Sequence, residues 1–320
     1  MNKTIPRFFI FAGLAVIAAS TALVFFSSRD SGIGQLVAKG IAYEATHRSK
    51  PNGRVILLGS MHALTANDVL PPNYLTAIQA ADEIIFELDP ATKNSPDAAK
   101  TIARHTAYAD GTSWRDHVEE STARQVDAFV AAEGVRLESL KQKRTFMVAQ
   151  VLSKSRFAKA GFSSRFGVEA QLIGPARQTG KPIGGLETLE SQLQVFSSMT
   201  EAEEEAVLLK TLGELGTTAD FGLRIAQAWR EGDIGRLTEL TNESIADYPD
   251  LAARLFSDRN ERIAEILAER AAGNRTLTVI VGSAHLCGKE SIVELLRERG
   301  FVVKKNGTGL VATTAKSSPR

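Results

Sequence analysis

The stretch Thr278-Val279-Ile280-Val281-Gly282-Ser283-Ala284-His285 decides the fold of this chain. A short β-branched run meets a glycine, and a histidine follows three residues later. The same arrangement stands much earlier as Val55-Ile56-Leu57-Leu58-Gly59-Ser60-Met61-His62. Each run is unbroken and closed by Gly-Ser, the pattern of a buried strand that stops at its glycine. A histidine placed this way falls just past the strand's carboxyl end, where α/β proteins build their sites. Glycine there allows a positive φ or a close backbone approach that a side chain would block. The echo continues downstream. After His62 come a helix over 74–81 and a strand over 83–88; after His285 come a helix over 289–298, a stop at Gly300 and a strand over 301–303. Two strand–GxxH–helix–strand units predict an internal pseudo-repeat whose histidines, His62 and His285, face one pocket.

With 320 residues, 43% of them hydrophobic, the chain has material for one large core or two small ones. A net charge of +1 gives no electrostatic reason to expect nucleic acid as a partner. The single cysteine, Cys287, excludes an intrachain disulfide. It reads as a small buried residue rather than a metal ligand, since no second cysteine accompanies it. Lys3 and Arg7 precede an uncharged run over 8–26, long enough to cross a bilayer core. A small-residue cleavage site at Ser20-Thr21-Ala22 would leave Leu23-Val24-Phe25-Phe26 exposed, so an uncleaved anchor is expected, with a secreted form as the alternative. The basic residues stay in the cytoplasm, which places the globular part on the periplasmic or extracellular side. The expected organisation is an anchor over 1–29, one α/β domain over 30–310 and a flexible tail over 311–320.

Between the two GxxH units the pattern is mainly helical. A short helix over 35–39 and an edge strand over 41–45 lead to a hairpin turn at Pro51-Asn52-Gly53, and a loop over 63–72 follows the first histidine. Helices are expected over 116–132, 137–155, 167–179, 189–196, 200–215, 221–231, 234–244 and 251–271, with one short strand over 183–188. Thr200 and Glu203 form a capping box. His105 and His117 lack a strand–glycine context and read as surface or capping residues. The fold class is therefore mixed α/β: a central sheet with strands from both ends of the chain, and a helical insert over about 92–270 covering one side.

Glu87 and Glu187 both sit at strand ends, where a carboxylate without a partner is costly. Two histidines with one or two such carboxylates suit a divalent metal such as zinc, manganese or cobalt, which would acidify a bound water. A metal-free acid–base site built from the same residues fits equally well. No HExxH, phosphate-binding glycine loop or GxSxG elbow is present.

The motifs Leu58-Gly59-Ser60-Met61-His62, Phe86-Glu87-Leu88-Asp89, Gly185-Leu186-Glu187-Thr188 with Gln192-Leu193, Ala228-Trp229-Arg230-Glu231-Gly232-Asp233, Arg259-Asn260 and Val281-Gly282-Ser283-Ala284-His285-Leu286-Cys287-Gly288 resemble the TraB/GumN family, which includes the TIKI-type proteins. The resemblance spans about 43–304. It implies a core related to ChaN and erythromycin-esterase-like proteins, with paired GxxH motifs and a glutamate at the site. TIKI-type members are metal-dependent proteases acting on an extracellular signalling protein; others are linked to pheromone shutdown or exopolysaccharide gene clusters. Carried over, the resemblance assigns His62, Glu87 and His285 to the site and matches Glu187 and Arg259 to recurrent positions, an arginine there being suited to binding a carboxylate or an oxyanion. The expected function is a membrane-anchored metal-dependent hydrolase acting on a peptide or protein, the alternative a non-catalytic binder of a peptide or small ligand.

Overall fold

The computed structural model describes residues 36–306 apart from 93–94, 136–137, 215–217 and 272. The expected anchor and tail lie outside the described residues. The first strands are β1 (Leu36–Val37), β2 (Ile41–His47), β3 (Lys50–Ser60) and β4 (Asp68–Val69). Helix α1 (Pro72–Ala80) then leads to β5 (Glu83–Leu88). The helical middle holds α2 (Pro96–Thr106), α3 (Glu120–Glu133), α4 (Thr145–Lys159) and α5 (Val168–Gln178), then β6 (Ile183–Glu187), α6 (Leu189–Ser197), α7 (Glu201–Glu214), α8 (Thr218–Glu231), α9 (Ile234–Ile245), α10 (Pro249–Ala252) and α11 (Asp258–Arg270). The chain closes with β7 (Thr276–Gly282), α12 (Ile292–Glu298) and β8 (Phe301–Lys305).

The main sheet runs β6-β5-β7-β3-β2-β8. The first four strands are parallel and β2 runs antiparallel to both β3 and β8. The sheet is thus a mixed one whose two central strands come from opposite ends of the chain, as the paired runs imply. Every residue of β7 is buried, and Val55 to Leu58 of β3 have no exposure. That explains the unbroken apolar runs, because a parallel strand is covered on both faces and has no reason to alternate. The two pseudo-repeat units interlock. β5, the second strand of the first unit, lies beyond β7, and β8, the second strand of the other, lies beyond β2.

Two cores result. One packs the sheet with α1, α5, α11 and α12; the other lies wholly within the helical middle, around Trp114, Phe146, Leu208 and Leu255.

Several local expectations are corrected. Residues 36–37 are a strand paired with β4 rather than a helix. β2 is an interior strand, because β8 arrives from the far end of the chain to cover it. Its hairpin turns at Arg48-Ser49, and Pro51 to Gly53 bulge out between the pairs His47–Lys50 and Thr46–Arg54. The helix expected over 137–155 starts only at Thr145, after a 3-10 turn at Glu138–Leu140. The one expected over 251–271 is broken by a π-helical turn at Ala253–Ser257. The Thr200–Glu203 capping box is present. His105 and His117 are largely buried polar links between helices rather than surface residues. His105 joins Ser197 and Glu190, and His117 joins Thr112 and Glu201 while stacking on Tyr108.

Candidate functional site

In the parallel pair, Ser60 stands opposite Gly282, so the two GxxH motifs run side by side one residue out of step. Neither motif glycine has a positive φ; each serves close approach. A Cβ on Gly59 would lie 2.8 Å from Ser283 Oγ and 3.0 Å from Ile41 Cβ. A Cβ on Gly282 would lie 3.5 Å from Glu87 Oε2, 3.5 Å from His285 Cδ2 and 3.8 Å from His62 Nε2. Both histidines and Glu87 therefore converge over one α-carbon at the carboxyl ends of β3, β7 and β5. Ser283 ties the loops together by donating its hydroxyl to the Ser60 carbonyl at 2.9 Å.

The first loop is held from behind. The Gly59 carbonyl accepts from Tyr74 Oη (2.7 Å) and Trp229 Nε1 (2.9 Å). Arg230 grips both oxygens of Asp68 in β4, and a Cβ on Gly232 would meet the Gly40 carbonyl at 2.9 Å. The Trp-Arg-Glu-Gly-Asp motif thus braces this corner of the sheet.

Glu87 is buried and fully engaged. Oε1 accepts from Arg259 Nη2 (2.5 Å) and Gln192 Nε2 (2.8 Å), and Oε2 accepts from the Gly282 amide (3.1 Å). Burial opposes its charge, but Arg259, His285, His62 and the Gly282 amide together hold the carboxyl down at about 2. Arg259 also forks onto Glu187, Nε to Oε1 at 2.9 Å and Nη2 to Oε2 at 2.5 Å, and donates Nη1 to the Leu255 carbonyl. Burial would favour loss of its proton; the two carboxylates more than offset that and keep it charged. Arg259 is therefore an internal strut between Glu87 and Glu187, with four of its five N–H donors directed at the protein.

His285 lies on the 3-10 turn Ser283–Leu286, is 3% exposed, and has Phe256 against its ring. Its Nδ1 meets Asn260 Oδ1 at 2.6 Å, while Asn260 Nδ2 donates to the Glu290 carbonyl at 2.8 Å. That carbonyl can only accept, so the amide orientation is forced and Nδ1 of His285 must carry the proton. Nε2 is then a lone pair, 4.0 Å from Glu87 Oε1. Burial and, next, Arg259 push its pKa down to about 4, so His285 is neutral.

His62 is placed differently. Its side chain is 28% exposed, and Nδ1 lies 2.7 Å from Glu169 Oε1 in the first turn of α5. Ser60 donates to the same oxygen at 2.6 Å. Burial alone would raise the Glu169 pKa, but His62 and the Ser60 hydroxyl hold it below the ordinary carboxylate range. Cys287 donates its thiol to the Ser283 carbonyl, and burial pushes it up to about 12, so it stays a protonated packing group.

As a ligand set for a divalent metal these residues do not fit. Both oxygens of Glu187 and Oε1 of Glu87 are held by Arg259. Among the described residues no three His, Cys, Asp or Glu side chains stand as a ligating group. The structure brings His62, His285, Glu87, Glu187 and Arg259 into one continuous network. It adds three residues that sequence reasoning missed as site members: Glu169, Asn260 and Gln192.

The model of the TraB/PrgY/gumN family matches residues 45–305. Among curated proteins, Uncharacterized protein YbaP of Escherichia coli (strain K12) is 24% identical over 248 residues, covering 75% of this chain and 87% of that protein. The protein of the same name from Shigella flexneri matches equally. No solved structure matches.

Proposed function

The chain belongs to the TraB/PrgY/gumN family, and from that premise we propose that it is a hydrolase of acyl bonds, with peptides as the first substrate class, working by acid–base chemistry at His62, His285 and Glu87. The observation that carries this reading is the convergence of those three side chains over Gly282. The imidazole of His62, the neutral imidazole of His285 and an ionised carboxylate meet there at the mouth of a parallel sheet. His62 Nε2 takes a proton from water as the water oxygen bonds to the acyl carbon. The C–N or C–O bond then breaks as His62 returns that proton to the leaving group. His285 Nε2 accepts a hydrogen bond from the water or substrate and stays neutral. Glu87, held ionised by Arg259, favours the imidazolium that forms on His62.

The proposal extends to location on the sequence of residues 1–29. Lys3 and Arg7 before the uncharged run over 8–26 fit a membrane anchor with the domain on the extracytoplasmic side. No helix among the described residues is long and apolar enough to cross a membrane.

The test is turnover of an internally quenched peptide library by the full chain, with and without a chelator. Expected is hydrolysis that survives the chelator and falls by about a hundredfold or more in His62→Ala. Hydrolysis undiminished in the His62→Ala/His285→Ala double variant would sink the proposal. Peptide binding without turnover would replace it with the binding-protein reading. Activity lost to the chelator, together with near-stoichiometric metal in wild type only, would overturn its metal-free chemistry.

A further inference from the structure

We propose that Glu169 is a positioning residue that singles out His62, rather than His285, as the proton acceptor of the site. Proton transfer by His62 presupposes the hydrolytic reading; the Glu169–His62 pair does not. One carboxylate oxygen, Oε1, receives both His62 Nδ1 at 2.7 Å and the Ser60 hydroxyl at 2.6 Å. Two donors on one oxygen fix the carboxylate against rotation and fix the imidazole with its proton on Nδ1, leaving Nε2 to accept.

The backbone is built to bring this carboxylate in. The amide of Val168, at the start of α5, donates to the Met61 carbonyl at 3.0 Å. A Cβ on Gly167 would lie only 2.3 Å from the His62 carbonyl oxygen. Glycine is therefore required for α5 to dock against the GxxH loop, and the docking places Glu169 in reach. The amino end of the helix also favours a negative charge in its first turn.

The second histidine lacks this support. Its Nδ1 partner is the uncharged Asn260 carboxamide, and it is far more buried than His62. A carboxamide stabilises an imidazolium less than a carboxylate does. Among the described residues, the titratable groups that face His62 include Glu169 from α5, Glu87 from β5 and His285 from the turn after β7. Two of these are carboxylates, each of which favours a proton on His62. Its partial exposure also lets water reach it.

Nitrogen-15 NMR of the full chain in detergent reads the pair directly, with His62 identified by the signals lost in His62→Gln. In wild type the neutral imidazole should carry its proton on Nδ1. Glu169→Leu should abolish that preference. Glu169→Gln should keep it, because a carboxamide oxygen still accepts, while His62 binds its proton about tenfold more weakly for want of the charge. Gly167→Ala should reproduce the Glu169→Leu pattern with the carboxylate intact, by pushing α5 away. Unmoved His285 signals in all three would show that the site has not collapsed. An unchanged His62 tautomer in Glu169→Leu, or unchanged titration in Glu169→Gln, overturns the proposal. If wild type hydrolyses no peptide while the tautomer responds as stated, the hydrolytic reading falls and the positioning role stands.

Discussion

His62 and His285 each follow a strand-ending glycine by three residues, yet they inhabit opposite environments. His62 sits on a partly exposed bend, backed by the carboxylate of Glu169, which the Ser60 hydroxyl also holds. His285 sits on a buried 3-10 turn, backed by a carboxamide and packed against Phe256. The charges of the buried half are locked inside the Glu87–Arg259–Glu187 cluster. The two environments divide the labour. A duplicated motif supplies two imidazoles, and the partner behind each Nδ1 decides whether the ring can change its charge.

The buried half is where the largest effect is expected. Arg259→Met would leave Glu87 and Glu187 without their counter-ion, and breaking a buried pair by removing one partner costs about 3–5 kcal/mol. Urea unfolding should show this loss, whereas Glu169→Gln, at the partly exposed histidine, should cost about 1 kcal/mol or less. Equal losses in the two variants would erase the distinction between the halves.

Acid should also act mainly on the buried half. The folded protein holds His285 at about 4 against an ordinary value of 6.5. Between those values the unfolded chain binds the proton and the folded one does not, so stability falls as pH drops from about 6.5 to 4. Glu87, held at about 2 against 4.5, adds a loss below pH 4.5, because its folded form resists a proton that the unfolded form accepts. The first loss is on the order of 3 kcal/mol. His285→Gln should flatten the stability profile between pH 6.5 and 4 and leave the fall below 4.5 in place. A profile unchanged by that substitution would show that His285 is not the group responsible.

The parts of this arrangement that were legible in the sequence are those set by short-range pattern. Val55 to Leu58 and Val279 to Val281 announce strands buried on both faces, and the matching Gly-Ser ends place both histidines at one edge. The interior position of β2 was not legible, because only the distant β8 makes it interior. Glu169 was hidden by its setting, since an acidic residue in a helix's first turn is ordinary dipole complementarity. Gly167 two residues before it was the available signal, given that a helix start needing no side chain often means close backbone contact. Asn260, next to the expected site residue Arg259, offered a clearer signal. With Ile263, Ala264 and Leu267 these two form the buried stripe of α11, and two polar residues on such a stripe need partners inside the protein. The break at Ala253–Ser257 has no sequence mark that we can identify. It hands the Leu255 carbonyl to Arg259 and so aims the strut at the two carboxylates.

The smallest effects fall on the motif glycines, and they sharpen the comparison because the two look interchangeable in sequence. A methyl at Gly59 would meet Ser283 Oγ at 2.8 Å and Ile41 Cβ at 3.0 Å. Ser283 is itself committed to the Ser60 carbonyl, and Ile41 belongs to a paired strand, so neither can yield without disturbing the sheet. Gly59→Ala should therefore destabilise the fold by about 1–3 kcal/mol, the range for overpacking a core. A methyl at Gly282 meets only ordinary contacts, none closer than 3.5 Å, and its φ of −49° suits any residue. Gly282→Ala should cost less than about 1 kcal/mol in stability, but its methyl would stand among Glu87, His285 and His62, in the space a reacting water needs. The expected result is a folded protein of near-normal unfolding midpoint that has lost turnover, set against a Gly59→Ala protein that is destabilised first. A Gly282→Ala variant that keeps full activity would mean that the space above its α-carbon is not where the chemistry happens.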